Sequence, residues 1–408
     1  MKVTAMLTGE INPRLELLFQ NGCLIKPCDE EKLSFLDLSC VLAHFAGMKL
    51  DYISPLALQL EKLITTAERY VFVLVDGMGI NQIERHLPSY AFLRENIVCK
   101  LRSVFLSTTS AALTSLAVCR WPAEHGILAW WTYCEKLGHG ILPLPFVEQD
   151  TNVPLQNINI SETDIFPLKS VWGNATKKIL SVVPMTLKDS IYTRYSAGNT
   201  PIEGYVKLND AFDMILSQAK NTDGPQFIYL YIPHFDEVSH EKGSDSDEAK
   251  QVMIFLNENL DKIRKNLPEE VRLIITADHG QTNVPPDGTR IILKKDDPIT
   301  SFLRCRPTGE SCVPFFHVKA GHEAQFYSHF MERFGQYFEL IEITGIEKMK
   351  LFGPVPLSET TKKRLGTFIG ISVEPAKFYI EPLPSSASHI GIHGGLSPDE
   401  MIIPLILS

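Results

Sequence analysis

The 408-residue sequence lacks the patterns that mark several classes of protein. No stretch approaches the roughly 20 apolar residues of a membrane-spanning helix, so we expect no membrane span. The first residues contain no apolar run of about 7–15 residues, so we also expect no secretory signal. The formal net charge is −9 and like charges form no long block, which argues against a general nucleic-acid-binding surface.

Cysteines are few and show no disulfide-framework spacing. The eight cysteines include no CxxC pair, and we therefore expect reduced thiols in a cytoplasmic protein. Glycine loops of the GxGxxG and P-loop types are absent, so a nucleotide held by such a loop is not predicted. Internal repeats and low-complexity tracts are absent as well, which is typical of an ordinary globular chain.

Side chains that bind metals follow several short apolar segments. The segments VFVLV, FIYLYI and RLIIT are rich in β-branched and aromatic residues, as expected for parallel strands covered by helices. In such sheets, ligands bind beyond the carboxyl ends of the strands. The six candidate metal ligands at or near such ends are Asp76, Asp236, His240, Asp278, His279 and His393.

Three carboxylates and three imidazoles are enough for two metal sites. Asp236 and His240 are four residues apart, so they can share one ion if their segment begins a helix. A mixed Asp/His set suits Zn²⁺ best, with Mn²⁺ or Fe²⁺ as alternatives, because imidazole is a poor ligand for Mg²⁺. Two Zn²⁺ ions about 3.5–4 Å apart can hold the attacking and leaving oxygens of a displacement at phosphorus.

A helix predicted over Thr109–Cys119 supplies a candidate nucleophile. Its first residue, Thr109, carries a hydroxyl that a metal could deprotonate. The N–H groups of Ser110 and Ala111 and the helix dipole would favour a phosphoryl oxygen at the same place. Thr108 immediately precedes Thr109 and is the alternative nucleophile.

The order of predicted elements indicates an α/β fold. We expect a mostly parallel central sheet with helices on both faces and an inserted smaller α+β subdomain. Strands are predicted at ILSVVP and MIIPLIL, and helices at FLDLSCVLAHFAGM, ending at Gly47, LNDAFDMILSQAK and SDSDEAKQVMIFLNENLDKIRKNL. We interpret residues 1–48 as a lead-in segment, residues 49–284 and 389–408 as the catalytic domain, and residues 285–388 as the inserted subdomain.

Five motifs occur in an order that resembles one known family. They are VDGMG, STTSAALTSLAVCRWPAEHGI, YIPHFDEVSHEKG, TADHG and HGGLSPDEMIIPLI. Over roughly residues 65–408 the chain resembles the alkaline phosphatase superfamily, and within it the type I phosphodiesterase and nucleotide pyrophosphatase branch.

The resemblance implies a site and a mechanism. One zinc site would consist of Asp236, His240 and His393, and the other of Asp76, Asp278 and His279 with the Thr109 hydroxyl. Thr109 would attack phosphorus to give a phospho- or nucleotidyl-threonine, which water would release. The family's spacing to the WPAEHG motif favours Thr109 over Thr108.

The chain departs from the family pattern at one position. Diesterase relatives carry an asparagine that holds a phosphate oxygen, whereas Ala129 and Trp130 stand there in this sequence. Trp130 could instead stack on a base or aryl group of a substrate, although aromatic clusters more often belong to the core. His389, four residues before His393, could also face the site.

These observations predict a metal-dependent hydrolase that cleaves phosphodiester or pyrophosphate bonds in a small, nucleotide-like phosphate ester. The alternatives are a phosphomonoesterase or a phosphonoacetate-type C–P hydrolase with the same two zinc ions, and more remotely a catalytically silent binding module. The oligomeric state is left open.

Overall fold

The structure is a computed structural model that describes residues 12–51, 53–285 and 289–408. Residues 1–11 of the predicted lead-in segment and residues 286–288 of the predicted insertion therefore lie outside the described residues. Where the chain is described, no helix is both long and apolar enough to cross a membrane.

The described strands fall into five sheets. In chain order they are β1 (Arg69–Val75), β2 (Ile97–Arg102), β3 (Thr132–Cys134), β4 (His139–Leu142), β5 (Val147–Glu148), β6 (Ile179–Pro184), β7 (Ile202–Tyr205), β8 (Phe227–Ile232), β9 (Val271–Thr276), β10 (Thr282–Asn283), β11 (Thr289–Leu293), β12 (Thr308–Gly309), β13 (Pro314–Phe316), β14 (Phe338–Glu342), β15 (Phe368–Ser372), β16 (Ala376–Ile380), β17 (Gly391–Ile392) and β18 (Ile402–Leu407).

The α-helices of the described residues vary from one turn to 20 residues. In chain order they are Pro13–Gln20, Phe35–Phe45, Pro55–Ile64, Ile80–His86, Phe92–Glu95, Thr109–Val118, Pro122–His125, Glu162–Ile165, Ile191–Ala197, Leu208–Lys220, His234–Lys242, Asp247–Asn266, Glu323–Phe334, Ile343–Met349, Glu359–Leu365 and Pro398–Met401. Short 3₁₀ helices occur at Leu155–Ile158, Trp172–Asn174, Pro298–Phe302 and Ser385–Ser388.

The central sheet has seven strands in the order β2-β18-β9-β1-β8-β6-β7. The strands from β9 to β7 pair in parallel, and β18 pairs antiparallel with both β2 and β9. The strands β1, β8 and β9 at its centre are almost entirely buried, because their apolar residues are covered by helices. The predicted α/β class and mostly parallel sheet are confirmed.

The predicted helices begin and end close to where the sequence indicates. The helix Leu208–Lys220 has the predicted bounds, and the predicted helix at Thr109 ends at Val118. Ser246 caps the helix Asp247–Asn266, since its side chain accepts a hydrogen bond from the Ala249 N–H. This helix connects β8 to β9, which flank β1 in the sheet.

The segment that follows β10 forms smaller sheets with a core of its own. β11 pairs in parallel with β16, and β12, β13, β15 and β14 form an antiparallel sheet. The helix Glu323–Phe334 packs on these strands through aromatic side chains, and the cluster includes Phe316, Phe326, Phe330, Phe338 and Phe378. An α+β arrangement is thus present, while the domain bounds stay predictions.

The described part of the predicted lead-in segment packs on two regions. The helix Phe35–Phe45 contributes to the same hydrophobic core as the central sheet. The helix Pro13–Gln20 instead lies beside β14, where Arg14 donates a hydrogen bond to Glu339 at 2.9 Å. Asn12 donates to the same carboxylate at 2.8 Å. This short helix therefore joins the N-terminal part of the chain to the segment that follows β10, which we call the later α+β segment.

Arg364 is a buried charge that connects three segments. It lies in the helix Glu359–Leu365, is only 5% exposed, and donates to the carbonyl oxygens of Gly126 at 2.9 Å and Ile165 at 2.8 Å. Burial lowers its pKa to about 10. These hydrogen bonds tie the later α+β segment to the region that follows the Thr109–Val118 helix.

We expect Arg364→Ala to lower the free energy of unfolding by about 3 kcal/mol, because it leaves buried carbonyl groups without donors. Urea denaturation followed by circular dichroism measures the change. The control is Lys363→Ala in the same helix, whose side chain is 56% exposed. Equal unfolding midpoints for the two variants would contradict the structural role given to Arg364.

Candidate active site

The candidate residues converge at one edge of the central sheet. Asp76 directly follows β1, and Asp278 follows β9 by two residues. The helix His234–Lys242 begins just after β8 and carries Asp236. Because β8, β1 and β9 are parallel neighbours, their carboxyl ends meet at the same edge. β18 runs the opposite way, so its beginning lies at that edge too and brings His393 near.

Two groups of possible metal ligands form there, one from Asp236, His240 and His393 and the other from Asp76, Asp278 and His279. Within each group the ligand atoms all lie within 4.8 Å of one another. The groups are adjacent, since the rings of His279 and His393 stack with centroids 3.9 Å apart. All six side chains that the sequence indicates are therefore brought together in the predicted triplets.

Backbone carbonyls orient the three imidazoles. Nδ1 of His240 donates to the Gly391 carbonyl at 2.8 Å, and Nδ1 of His393 donates to the Ser107 carbonyl at 3.1 Å. Nδ1 of His279 donates to the Gly280 carbonyl at 3.0 Å. A carbonyl oxygen can only accept, so each Nδ1 carries a proton and each ring directs its Nε2 atom into the site.

The first group brings acceptors unusually close. Nε2 of His240 lies 3.2 Å from Nε2 of His393 and 3.2 Å from a carboxylate oxygen of Asp236. Burial opposes a charge on His240, but the Asp236 carboxylate raises the pKa of His240 to about 9. A proton or a metal ion is needed between these lone pairs, because otherwise they repel one another.

The second group buries two carboxylates completely. Burial, together with the neighbouring Asp278 charge, raises the pKa of Asp76 well above its usual range. Burial likewise raises the pKa of Asp278, and its Oδ2 has no hydrogen-bond partner. Oδ1 of Asp278 accepts from the Gly77 N–H at 3.2 Å. The unpartnered oxygen is an acceptor that a bound cation would satisfy.

Thr109 lies at the second group. Its Oγ1 is 3.2 Å from Nε2 of His279 and 3.3 and 3.4 Å from the oxygens of Asp76. Thr108 points elsewhere, because its hydroxyl donates to Oε1 of Glu310 at 2.8 Å. The geometry distinguishes the two threonines that the sequence left adjacent.

Three further side chains at the site carry no sequence signal. The Tyr231 hydroxyl donates a short hydrogen bond to Asp76, and the Gln281 amide donates another to Asp236. Glu310 comes from the segment after β12 and accepts a hydrogen bond from the Trp130 N–H at 2.8 Å. These contacts join residues far apart in the chain, so no local pattern could have indicated them.

Among the aromatic and histidine side chains of this region, Trp130 and His389 border the site, whereas Tyr133 and His125 have partners elsewhere. Trp130 borders two cavities that meet at Thr109, whereas Tyr133 stacks on His317 with centroids 4.0 Å apart. His389 lies beside His240, with ring centroids 4.5 Å apart, and faces the same opening. His125 is fully buried and pairs with Ser115 at 3.0 Å, and burial lowers its pKa to about 3.

Comparison with known proteins agrees with this geometry. The family described as type I phosphodiesterase / nucleotide pyrophosphatase matches residues 70–304. None of the curated proteins matches the chain.

Several solved structures have the same fold. Murine ectonucleotide pyrophosphatase / phosphodiesterase 5 superimposes with a TM-score of 0.61 and 18% identity, covering 83% of this chain and 87% of that chain. An inactive variant of the murine protein in complex with AMP gives a TM-score of 0.61 at 17% identity with the same coverage. Phosphonoacetate hydrolase from Sinorhizobium meliloti 1021, in complex with phosphonoacetate, gives a TM-score of 0.57 at 15% identity, covering 84% of this chain and 90% of that chain.

At these identities the structural likeness shows a shared fold and nothing further. The family match is the stronger evidence, because it extends over more than half of the residues and includes Asp76, Thr109, Asp236 and Asp278. The chain therefore belongs to the type I phosphodiesterase / nucleotide pyrophosphatase family of phosphoester hydrolases.

Proposed function

We propose that this protein is a metal-dependent phosphodiesterase in which Thr109 forms a covalent phosphoryl-threonine intermediate. The observation that carries the proposal is the position of the Thr109 hydroxyl, within 3.4 Å of Asp76 and His279 and beside two adjacent Asp/His groups. A nucleophile, buried carboxylates and imidazoles are the parts that hydrolysis at phosphorus requires.

The donor sets fit two divalent ions. Asp236, His240 and His393 would hold one ion, and Asp76, Asp278 and His279 would hold the other. The unpartnered Oδ2 of Asp278 and the three Nε2 lone pairs support this assignment. We infer Zn²⁺ from the mixed Asp/His ligands, with Mn²⁺ or Fe²⁺ as the alternatives.

When bound, the ions would supply Lewis acidity, which stabilises negative charge around phosphorus and lowers the pKa of a hydroxyl. The Tyr231 hydroxyl holds the Asp76 carboxylate in place, and the Gln281 amide holds Asp236. The first turn of the Thr109–Val118 helix has no side-chain cap, so the N–H groups of Ser110 and Ala111 remain for a phosphoryl oxygen. These amides would replace the asparagine that the family pattern places near Trp130.

The proposed reaction consists of two successive displacements at phosphorus. In the first, Thr109 Oγ1 bonds to phosphorus while the bond to one alcohol breaks, and the hydroxyl proton ends on the departing alcohol. In the second, water attacks the same phosphorus, the bond to Oγ1 breaks, and Thr109 regains its proton. The product of a diester is then a phosphate monoester and an alcohol.

We also propose a nucleotide-like phosphate ester as the substrate and a reducing compartment as the location. The AMP bound to the inactive murine relative supports the first inference. Trp130 offers an aromatic face beside Thr109. The eight cysteines, all described and all unpaired as disulfides, support the second inference.

Thr109→Ala should reduce turnover by on the order of 10³-fold or more while the metal content stays near that of the wild type, because the nucleophile is lost and the proposed ligands remain. The measurement is kcat on a nitrophenyl diester together with metal analysis. Thr108→Ala is the matched control. Loss of turnover in Thr108→Ala with wild-type rates in Thr109→Ala would assign the nucleophile to Thr108 instead.

Asp278→Ala should reduce both bound metal and turnover, because it removes a ligand from the second group. Inductively coupled plasma mass spectrometry of the purified protein measures the metal content per chain. Asp399→Ala is the control, since Asp399 is partly exposed and lies outside both groups. Full metal content and activity in Asp278→Ala would argue against a metal at this group.

A substrate panel tests the reaction class. We expect bis(p-nitrophenyl) phosphate to be hydrolysed with a much larger kcat/KM than p-nitrophenyl phosphate or phosphonoacetate. The reverse order would identify a phosphomonoesterase or a C–P hydrolase with the same fold. No turnover of any substrate by metal-loaded protein would favour a silent binding module.

A further inference from the structure

Two separate cavities open onto Thr109. Thr109, Trp130 and Asp236 border both of them. The first, which we call the apolar chamber, measures about 540 Å³ and extends between the Thr109–Val118 helix, β6 and the helix Ile191–Ala197. Its walls include the side chains of Leu113, Leu116, Trp172, Ile179, Val183 and Tyr192.

The second cavity, which we call the polar chamber, measures about 560 Å³ and has different walls. One wall comes from the residues that follow the three-stranded β3-β4-β5 sheet and includes Gln149, Asp150 and Asn152. The other comes from the later α+β segment and includes Arg306 and Glu310. A phosphate ester with two alcohol groups therefore has a separate space on each side of the proposed nucleophile.

Backbone pairing fixes Glu310 in this chamber. Trp131 and Gly309 exchange two backbone hydrogen bonds, of 3.2 and 2.7 Å, which hold the end of β12 against the start of the β3-β4-β5 sheet. Gly309 has a φ of +88°, and a Cβ there would lie 2.3 Å from the Val313 carbonyl oxygen, so only glycine fits. Glu310, the next residue, is thereby fixed beside Trp130.

The Glu310 carboxylate borders the polar chamber without a cationic partner among the described ion pairs. Its Oε1 accepts hydrogen bonds from the Thr108 hydroxyl and the Trp130 N–H, both at 2.8 Å. Arg306 does not neutralise it, because its guanidinium pairs with Asp150 and also donates to the carbonyl oxygens of Ile380 and Pro382. Glu310 also lies outside both groups of candidate metal ligands.

We propose that Glu310 selects the group that enters the polar chamber, favouring a neutral or cationic alcohol and rejecting an anionic one. The inference rests on the proposed function and narrows it. The preferred substrate is a phosphodiester in which the alcohol that carries an aromatic or apolar group, such as the base of a nucleotide-like ester, enters the apolar chamber. A hydroxylated or cationic alcohol enters the polar chamber, where a polyphosphate chain is disfavoured.

The physical basis is the charge that faces the second alcohol. Two divalent ions at the candidate metal groups would balance the charges of the three carboxylates there and of the reacting phosphodiester. Glu310 has two hydrogen-bond donors but no ion-pair partner among the described residues. A second anion placed near it is repelled, and a cation is attracted, in a partly enclosed site where solvent screens charges less than at the surface. The apolar chamber has one carboxylate outside the metal groups, Glu237, but that residue is exposed, so solvent screens its charge. The rest of the wall is largely apolar and suits the apolar alcohol.

Three p-nitrophenyl diesters test the inference. Their second alcohols are 2-(trimethylammonio)ethanol, its neutral isostere 3,3-dimethylbutanol, and 3-hydroxypropanoate. We expect kcat/KM for the cationic ester to exceed that of the neutral ester by about tenfold, and the anionic ester to fall about tenfold below it. Assays at pH 8.5 keep Glu310 ionised, since burial raises its pKa only to about 7.

Glu310→Gln keeps the shape of the side chain and removes its charge. In this variant, the cationic-to-neutral and neutral-to-anionic ratios of kcat/KM should both fall to within about threefold of one. The control Glu374→Gln lies on the exposed surface of the same α+β segment and should keep the wild-type ratios. Circular dichroism and metal content show whether each variant is folded. If Glu310→Gln does not fold, Asp150→Asn tests the same chamber, and the cationic preference should fall there as well.

Each of the other possible outcomes would overturn the inference, the role of Glu310 or the proposed function. Diester hydrolysis with ratios near one, or with the anionic ester preferred, would overturn the inference and leave the proposed function intact. Wild-type ratios that persist in Glu310→Gln would remove Glu310 as the selecting residue. Hydrolysis of the monoester or phosphonoacetate without any diester hydrolysis would overturn the proposed function itself, and the inference with it.

Discussion

The crowding of three carboxylates at one edge of the sheet, two of them buried, is the constraint on which the site depends. Asp76 and Asp278 are almost fully buried, and Asp236 is near enough to oppose a charge on both. Like charges in a poorly solvated place are costly unless cations or hydrogen-bond donors compensate for them. The Tyr231 hydroxyl and the Gln281 amide reduce this cost because they donate to Asp76 and Asp236. The Nε2 atoms of the three imidazoles add further acceptors to the same place. A site with such an excess of acceptors suits bound divalent ions.

The fold brings these groups together through the direction of its strands. β8, β1 and β9 are parallel neighbours, so the residues after each strand meet at one edge although they are far apart in the chain. The antiparallel β18 returns the chain to that edge, and the preceding β17 holds His393 beside His279. Carbonyl groups outside the central sheet orient two of the imidazoles, since Gly391 lies in β17 and Ser107 follows β2.

The segment after β10 defines the side of the site that the central sheet leaves open. Gly309 and Trp131 join this segment to the β3-β4-β5 sheet, which forms one wall of the polar chamber. The same contact places Glu310 beside Trp130. Arg364 ties the same segment to the loops that follow the nucleophile helix. We expect a change in this segment to alter the walls of the polar chamber while leaving the candidate metal ligands in place.

The sequence by itself determined the α/β class, the helix that begins at Thr109 and the six candidate metal ligands. These features are local, since apolar runs specify strands and the ligands directly follow them. Tertiary structure decided which of Thr108 and Thr109 faces the buried carboxylates, and it decided that Trp130 borders the site while Tyr133 stacks on His317. It also revealed Tyr231, Gln281 and Glu310, whose partners lie between 45 and 202 residues away in the chain. Contacts over such separations depend on how elements pack, and no local pattern in the sequence encodes that packing.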